Sequence, residues 1–290
     1  SQATLTQAPE GAPTINATAN STSQITVSWG AVSGASSYQL QYATDSGFSS
    51  PTTLNGITDT SRAVTGLTAG TRYYFRAYAV NEGGNSASSN VVNTQALSVA
   101  PTITATANST SQITISWSAI AGATSYRLER STSSDFSNPT VTNGVTGTSR
   151  AVTGLTASTT YYFRLYSVND GGMSTASASK NATTHTLAPA SAPTISATVA
   201  ATQINLSWSA ITNATSYTIE YSVNSNFSGS TSITGITDTT RSITGLSQGV
   251  RYYVRGYSAG GGSTVGPGNV LNVITNINTP SAPSVSASYP

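Results

Sequence analysis

The chain has 290 residues, no Cys, one His, and eleven Lys and Arg against nine Asp and Glu, so only 7% of its residues are charged where soluble domains usually carry about 25%. Without Cys, disulfide frameworks, thiolate zinc sites and thiol catalysis are excluded, and the sparse formal charge of +2 provides neither a nucleic-acid footprint nor an electrostatic membrane anchor. No apolar run approaches the roughly 18 to 20 residues of a membrane span, so we expect no nucleic-acid partner and no membrane insertion by this segment.

A fixed period divides the chain into copies of one folding unit. Three tryptophans lie 88 and 91 residues apart, and three Gly-Leu dipeptides repeat the same two spacings. The tryptophans are Trp29, Trp117 and Trp208, and the leucines of the dipeptides are Leu67, Leu155 and Leu246. An Ala-Pro dipeptide opens each unit and appears a fourth time at Pro283. Such a period marks one supersecondary unit copied along the chain.

These spacings predict three complete repeats with a partial one at each end. Repeat 1 covers residues 12–97, repeat 2 covers 98–188 and repeat 3 covers 189–279. Residues 1–11 are the tail of a preceding repeat or a linker, and 280–290 are the start of a fourth, truncated repeat. The stretch from the Gly-Leu glycine to the next Ala-Pro proline is 35 residues in repeat 1 and 39 in repeat 2. We therefore expect a longer second joint, with a different angle between the repeats.

The pattern within a repeat has a period of two rather than 3.6. Runs rich in Val, Ile, Thr, Tyr and Trp are separated by Gly, Asn, Pro and Ser, which is typical of short antiparallel strands. In chain order, repeat 1 predicts strands over 14–19, 24–30, 36–44, 51–55, 61–66, 71–80 and 89–95. Seven short strands predict an all-β fold in which two sheets pack as a sandwich.

Four segments of repeat 1 resemble the fibronectin type III domain, and they recur in order in the other two repeats. They are residues 23–29 ending in Trp29, 38–42 with a Tyr at each end, Gly66-Leu67, and 71–81 with its Tyr-Tyr pair. The resemblance implies three tandem immunoglobulin-like sandwiches of seven strands each. It also implies a tyrosine corner, in which a phenol hydrogen-bonds a backbone group, at Tyr73, Tyr161 and Tyr252. The scarcity of Lys and the segment Thr44–Ser49 are similar to copies of the domain in bacterial extracellular or surface proteins.

Some positions depart from the family pattern. Arg130 replaces the second tyrosine of the Tyr-x-x-x-Tyr pair, so repeat 2 is expected to pack differently there. One arginine per repeat stands where the family usually has an apolar residue, and we expect its guanidinium to lie over an aromatic face. These arginines are Arg62, Arg150 and Arg241. A recurring phenylalanine is expected to plug one end of each sandwich, at Phe48, Phe136 and Phe227.

Side chains suited to catalysis are scarce. The single histidine, His185, lies in the joint between repeats 2 and 3 and has no acid within twelve residues. The nine carboxylates form no calcium-loop pattern and no pair of general acids at a fixed spacing. We therefore predict that the chain is not an enzyme and has no catalytic, cofactor-binding or metal-binding residues and no cofactor.

The sixth strand of each repeat offers the strongest candidate surface for a ligand or partner. If alternate residues from Tyr73 point inward, the intervening Tyr, Arg and Tyr point outward. This outward set, the Tyr-Arg-Tyr stripe, comprises Tyr74, Arg76 and Tyr78, then Tyr162, Arg164 and Tyr166, then Tyr253, Arg255 and Tyr257. Exposed aromatics beside Arg suit stacking on sugars or a protein hot spot. The favoured interpretation is ordinary pairing with the third strand, at residues such as Gln39 and Gln41.

Repeats that are nearly identical over long stretches favour a role that depends on their number more than on a private site. We predict a non-enzymatic, extracellular structural spacer array within a larger surface or secreted protein, located outside the cell or at its surface. Its partners would be flanking domains of the same polypeptide, with polysaccharide or another surface protein as further candidates. Two alternatives stay open: a carbohydrate-binding or adhesive module that uses the Tyr-Arg-Tyr stripe, and a virion tail or fibre component.

Overall fold

A computed structural model describes residues 7–278, and the secondary structure of that part consists of β-strands with no helix. The truncated fourth repeat predicted over 280–290, and residues 1–6 of the predicted tail, lie outside the described residues. Two compact units make up the chain. Of the described residues, the first unit contains 7–155 and Thr159–Thr184, and the second contains Thr156–Ser158 and 185–278.

Repeat 1 is a sandwich of a three-stranded and a five-stranded antiparallel sheet. Its strands are β1 (Ile15–Ala19), β2 (Gln24–Trp29), β3 (Ser37–Ala43), β4 (Thr52–Ile57), β5 (Ser61–Thr65), β6 (Arg72–Asn81), β7 (Gly84–Asn85) and β8 (Val92–Gln95). The smaller sheet has the order β1-β2-β5. The larger has the order β4-β3-β6-β7, and β8 also pairs with β6. The predicted sandwich is confirmed.

The predicted seventh strand, 89–95, is shortened to β8, and a further short strand that the sequence did not predict, β7, pairs with the same edge of β6. Two serines occupy the gap between β7 and β8. The Oγ of Ser86 accepts a hydrogen bond from the amide of Ala79 at 3.0 Å, and the Oγ of Ser89 accepts one from the amide of Ala77 at 2.8 Å. Because hydroxyl groups satisfy these β6 amides, the backbone ladder is interrupted without leaving buried donors unpaired.

Repeats 2 and 3 repeat this arrangement strand for strand. The strands of repeat 2 are β9 (Ile103–Ala107), β10 (Ile113–Trp117), β11 (Ser125–Ser131), β12 (Thr140–Val145), β13 (Ser149–Val152), β14 (Thr160–Asn169), β15 (Gly172–Met173) and β16 (Lys180–Thr183). The strands of repeat 3 are β17 (Ser196–Val199), β18 (Gln203–Ser207), β19 (Ser216–Ser222), β20 (Thr231–Ile236), β21 (Thr240–Thr244), β22 (Arg251–Gly260), β23 (Ser263–Val265) and β24 (Leu271–Ile274). The small sheets are β13-β10-β9 and β17-β18-β21, and the large sheets are built around β14 and β22 as repeat 1 is built around β6.

Each sandwich encloses its own apolar core, because alternate side chains of every strand face the opposite sheet. The tryptophan that recurs in each repeat contributes one indole to each core, and this side chain is 7% exposed in all three repeats. The Trp29 ring packs on Tyr38, with centroids 5.3 Å apart. The hydroxyl of Tyr73 accepts the Thr68 amide at 3.0 Å and that of Tyr252 accepts the Ser247 amide at 3.2 Å, which confirms the tyrosine corner expected at these two residues.

Repeat 2 packs differently around Arg130, as its sequence indicates. In repeat 1 the equivalent Tyr42 contacts the rings of Tyr73 and Phe75, each with centroids 6.2 Å apart. Arg130 supplies no ring, and Tyr161, the counterpart of Tyr73, is only half-buried. A cavity of about 180 Å³ lies at this edge of the sandwich, lined by Arg130 and Arg150 among others.

The expectation that Arg62 and its equivalents stack on aromatic rings is wrong. Across residues 7–278, the guanidinium groups found over rings belong to other arginines. Arg62 lies on the edge strand β5 opposite Val27, so its stem starts on the inner side of the sheet and its side chain is exposed at the sandwich edge. Arg150 and Arg241 hold the same edge position, opposite Ile115 and Leu206.

Candidate functional site

The Tyr-Arg-Tyr stripe lies on the outer face of each five-stranded sheet, on β6, β14 and β22. Its nine side chains alternate with buried residues and are all half-buried rather than fully exposed. Half-burial on an outer face means that something in the same repeat covers them. The covering groups come from a loop and from the neighbouring strand.

A phenylalanine from the loop between the third and fourth strands lies under each stripe arginine. The guanidinium carbon of Arg76 is 4.3 Å from the ring centroid of Phe48. The equivalent distances are 4.3 Å from Arg164 to Phe136 and 3.9 Å from Arg255 to Phe227. These contacts are cation–π interactions that bury the ring against the outer face of the sheet.

The three phenylalanines therefore do not plug the end of the sandwich as expected. They are buried, yet they lie apart from the three apolar core clusters. Each has a positive φ, 53° at Phe48, 57° at Phe136 and 59° at Phe227. This backbone conformation is unfavourable for a bulky residue, and it recurs in all three repeats together with the ring contact to arginine.

The third strand supplies a hydrogen-bond acceptor to each stripe arginine. Residues directly opposite each other across the strands pair Gln41 with Arg76, Glu129 with Arg164 and Glu220 with Arg255. The arginine Nε donates to the Oε1 of Gln41 at 2.8 Å, to the Oε2 of Glu129 at 2.6 Å and to the Oε2 of Glu220 at 2.7 Å. Repeat 1 thus has a neutral partner where repeats 2 and 3 have an ion pair.

The two glutamates also bind the last tyrosine of the stripe. The hydroxyl of Tyr166 donates to Glu129 at 3.3 Å, and that of Tyr257 donates to Glu220 at 3.1 Å. Burial and the neighbouring carboxylate raise the pKa of both phenols above their ordinary value of 10.0, so both remain protonated donors. In repeat 2, Arg127 adds a second ion pair to Glu129, whose side chain is only 3% exposed.

Burial of the Glu129 carboxylate by itself raises its pKa, but the hydrogen bonds and charges of Arg164 and Arg127 outweigh burial. The pKa of Glu129 consequently lies below its ordinary value of 4.5. The pKa of Glu220 is lowered chiefly by its hydrogen bond with Arg255. A carboxyl group with a depressed pKa stabilises the fold above the unfolded-state pKa and loses that contribution as the pH falls through the folded-state pKa.

Changing Glu129→Gln is expected to lower the stability of repeat 2 at neutral pH by about 1 to 3 kcal/mol, because two arginines lose a charged partner. The parent loses the same contribution as the pH falls from the ordinary carboxyl pKa of 4.5 through the lower pKa of Glu129 in the folded state, so the difference between parent and variant should shrink at acidic pH. Thermal melts from neutral to acidic pH measure this. In the reciprocal control, Gln41→Glu places a carboxylate beside the stripe arginine of repeat 1. The stability of repeat 1 should then gain a pH-dependent contribution from this position. A difference that stays constant with pH would contradict this account of the site.

The first tyrosine of each stripe makes the fewest polar and aromatic contacts within its repeat. In the described part of the chain, the hydroxyl groups of Tyr74, Tyr162 and Tyr253 make no hydrogen bond and their rings make no ring contact. The stripe arginines, by contrast, contact the phenylalanine rings.

A second set of contacts, which the sequence did not suggest, joins repeats 1 and 2. The guanidinium of Arg72 forms an ion pair with Asp170. The side-chain amide of Asn169 donates to the carbonyl of Ala96 at 2.9 Å, and the backbone amide of Asp170 donates to Gln95 at 3.3 Å. These bonds tie the turn after β14 to the end of repeat 1.

Glycines allow the two repeats to meet backbone to backbone. A β-carbon on Gly122 would lie 2.1 Å from the carbonyl oxygen of Gly70, and one on Gly171 would lie 1.9 Å from that of Gln95. Any larger side chain would force the repeats apart. We call Gly70 and Arg72 the Gly-Arg end of repeat 1, and Gly122, Asn169, Asp170 and Gly171 the Gly-Asn end of repeat 2.

The described part of the chain was predicted to hold a solvated histidine and no metal site. His185 is exposed. Among residues 7–278 no group of three or more His, Cys, Asp or Glu side chains is placed to hold a metal ion, and no helix long and apolar enough to cross a membrane is found there.

Sequence reasoning found the stripe and one of its partners, Gln41, but it missed the two glutamates and the phenylalanines that contact the stripe arginines. A signal for Glu129 and Glu220 exists, because two of the nine acids fall at equivalent positions of the third strand, on the same face as the stripe. For the phenylalanines and the joint no local signal exists, since their contacts depend on a loop conformation and on the placement of one repeat against another.

Sandwiches with a Trp in each core and strands in this order are typical of immunoglobulin-like β-domains. The fibronectin type III domain profile matches residues 7–95 and 99–183, and the chain belongs to this family. One curated relative, "Chitinase A1" of Niallia circulans, is 30% identical over 224 residues, which cover 71% of this chain and 29% of that protein. The chain therefore corresponds to less than a third of that relative's length. A solved structure, that of the chicken CNTN1 FN1-FN3 domains, is 17% identical with a TM-score of 0.35, and the match covers 93% of this chain and all of that one.

Proposed function

We propose that this chain is a non-enzymatic spacer array that holds other parts of a larger secreted or surface protein at a set separation. The observation that carries the proposal is the joint between repeats 1 and 2. Its ion pair, its hydrogen bonds and its glycine contacts fix one repeat against the next, which a flexible linker would not do. We further propose an extracellular or cell-surface location and flanking domains of the same polypeptide as its main partners.

The stripe supports the same proposal, because its arginines are already engaged by contacts within the repeat. Its arginines are stacked on phenylalanine and bonded to the third strand, so a ligand would have to displace contacts that the repeat already makes. Binding energy that merely replaces existing contacts leaves little net affinity. Cross-strand pairing is therefore the better explanation of the stripe.

The second candidate function is binding to a polysaccharide, with a surface protein as a further possible ligand. The match to a protein named as a chitinase favours this candidate, and Tyr74, Tyr162 and Tyr253 would be the stacking residues. Three weak sites on one chain would act together on an extended polymer through avidity. The virion alternative has no supporting observation among the contacts of the described residues.

A retention assay separates the two functions. We expect the chain not to be retained on insoluble chitin, on other insoluble polysaccharides or on whole cells, and the triple variant Tyr74→Ser, Tyr162→Ser, Tyr253→Ser to behave in the same way. Because these tyrosines are only half-buried, their replacement should lower the stability of each repeat by no more than about 1 kcal/mol. A melting curve checks this.

A matched control replaces one exposed arginine per repeat on the other sheet, in the variant Arg62→Ser, Arg150→Ser, Arg241→Ser. Retention of the parent and the control, with loss in the tyrosine variant, would refute the spacer role and establish the stripe as a binding surface. Retention that both variants lose would indicate nonspecific adsorption through charge or stability.

A further inference from the structure

The Gly-Asn end of repeat 2 has a counterpart on repeat 1, and within the described residues this counterpart faces no other repeat. The residues 88 positions earlier are Gly34, Asn81, Glu82 and Gly83, which correspond to Gly122, Asn169, Asp170 and Gly171. Each member is either identical or, at Glu82, an acid of the same charge. Repeat 1 therefore carries the residue set that repeat 2 uses to hold its neighbour.

The local structure at the two ends is also the same. Asn169 accepts the amide of Gly171 at 3.0 Å, and Asn81 accepts the amide of Gly83 at 2.8 Å, so the same turn is formed. The φ angle is 75° at Gly122 and 76° at Gly34. Asn169 also donates to the carbonyl of Ala96, and Asn81 donates in the corresponding direction to the carbonyl of Gln7 at 2.9 Å.

What differs is the space in front of the two ends. A β-carbon on Gly122 would collide with the backbone of Gly70, whereas one on Gly34 would meet nothing within 4 Å. A cavity of about 330 Å³ lies there, lined by residues 7–11 of the incoming chain and by Gly34 and Asn81 among others. Among residues 7–278 the Glu82 side chain makes no hydrogen bond or ion pair, and the side of Gly34 that would carry a β-carbon faces open space.

The complementary Gly-Arg end also recurs, which shows what kind of surface fits. Repeat 3 has Gly249 and Arg251 at the positions of Gly70 and Arg72. Arg251 donates to Asn272 at 2.5 Å as Arg72 donates to Asn93 at 2.5 Å, so the side chain is presented in the same way. Repeat 2 has Ser158 and Thr160 at these positions, and repeat 3 has Asn213 and Gly260 in place of Gly122 and Asn169. The two ends are therefore specific devices rather than features of every repeat.

We propose that the Gly-Asn end of repeat 1 is a docking surface for the Gly-Arg end of another fibronectin type III repeat attached ahead of it in the same polypeptide. Glu82 pairs with the arginine of that repeat, and Gly34 meets its glycine backbone to backbone. The linker ahead of repeat 1 differs from the linker ahead of repeat 2. The backbone amide of Leu97 donates to the carbonyl of Ser21, whereas Pro9, at the equivalent position, has no amide hydrogen to donate. The docking therefore rests on the two ends themselves. This proposal rests on the proposed spacer role and specifies how the array continues.

The test extends the full chain by one repeat. Residues 1–95 are placed ahead of residues 8–290, so that Gln95 of the added copy is followed by Ala8 and a Gly-Arg end faces Gly34. Because the chain has no Cys, a Thr65→Cys change in each copy of repeat 1 gives one spin-label pair across the new joint. The reference is the unextended chain with Thr65→Cys and Thr153→Cys, the equivalent positions across the natural joint.

We expect the new joint to give the same most probable label distance as the reference, with an equally narrow distribution. Gly34→Ala should broaden the distribution in the extended chain and leave the fold of the unextended chain intact, since its β-carbon is unopposed there. Glu82→Ala should broaden it as well, and the control Asp59→Ala should not.

A broad distribution that Gly34→Ala leaves unchanged would overturn the proposal. So would head-to-tail dimers of the unextended chain in sedimentation that disappear with Gly34→Ala, because a second copy would then be the occupant. Neither result bears on polysaccharide retention, so a failure of this proposal is distinguishable from a failure of the spacer role.

Discussion

Replacing Trp117 by Ala is expected to abolish the melting transition of repeat 2 and to leave that of repeat 3 in place. The Trp117 indole is 7% exposed and packs on Tyr126 with ring centroids 5.1 Å apart. Truncation of a core Trp costs about 3 to 5 kcal/mol through lost burial and the cavity left behind. A domain with a total stability of about 5 to 15 kcal/mol is then unfolded or close to it.

The structure adds a consequence for repeat 1. It keeps its own core, so it should still fold, but it loses the partner of its Gly-Arg end and should melt at a lower temperature than in the parent. Differential scanning calorimetry measures both effects. Trp208→Ala is the matched control, because it removes the equivalent core indole from repeat 3. It should leave the melting transitions of repeats 1 and 2 in place. Loss of all three transitions in either variant would contradict the expectation of three separately folding cores.

The second large effect is expected at the joint between repeats 1 and 2. Gly122→Ala and Gly34→Ala place the same side chain on the same positive-φ backbone, at 75° and 76°. Both variants should lose about 1 kcal/mol of stability from backbone strain. Only Gly122→Ala also drives a β-carbon to 2.1 Å from the carbonyl oxygen of Gly70, so only this variant should open the joint.

Opening the joint should separate Arg72 from Asp170 and broaden the distance distribution between labels on Thr65→Cys and Thr153→Cys. It should also remove any dependence of the melting temperature of repeat 1 on the integrity of repeat 2. If Gly122→Ala and Gly34→Ala give the same distribution, the glycine contact does not hold the repeats together and the rigid-joint argument for the spacer role is lost.

Much of the fold could be predicted because it is written in local periodicity. On β6 the alternation of Tyr73, Phe75 and Ala77 with Tyr74 and Arg76 assigns every side chain to a face before any partner strand is known. The interrupted last strand was beyond this reasoning. Ser86 and Ser89 are typical of loops, and only their hydrogen bonds to β6 show that they continue the edge of the sheet by other means.

The candidate site was predictable only in part, for the same reason. Alternation places Arg164 on the outer face, but it does not say what lies beneath or beside it. Phe136 reaches the guanidinium because it lies in a loop and has a positive φ. Glu129 reaches it because the register of two strands places residues 35 positions apart opposite each other. Loop conformation and register are set by the packing of the whole sandwich, so a pattern within one strand does not determine them.

The sequence by itself determined the repeats, their sandwich fold, the indole in each core and the outward placement of the Tyr-Arg-Tyr stripe, because each of these follows from spacing and alternation along the chain. Only the tertiary structure decided that the stripe is satisfied from within and that repeats 1 and 2 share a joint. The ion pair between Arg72 and Asp170 joins residues 98 positions apart, and the meeting of Gly70 with Gly122 requires two folded repeats to approach each other. Such contacts arise between surfaces that exist only after each sandwich has closed.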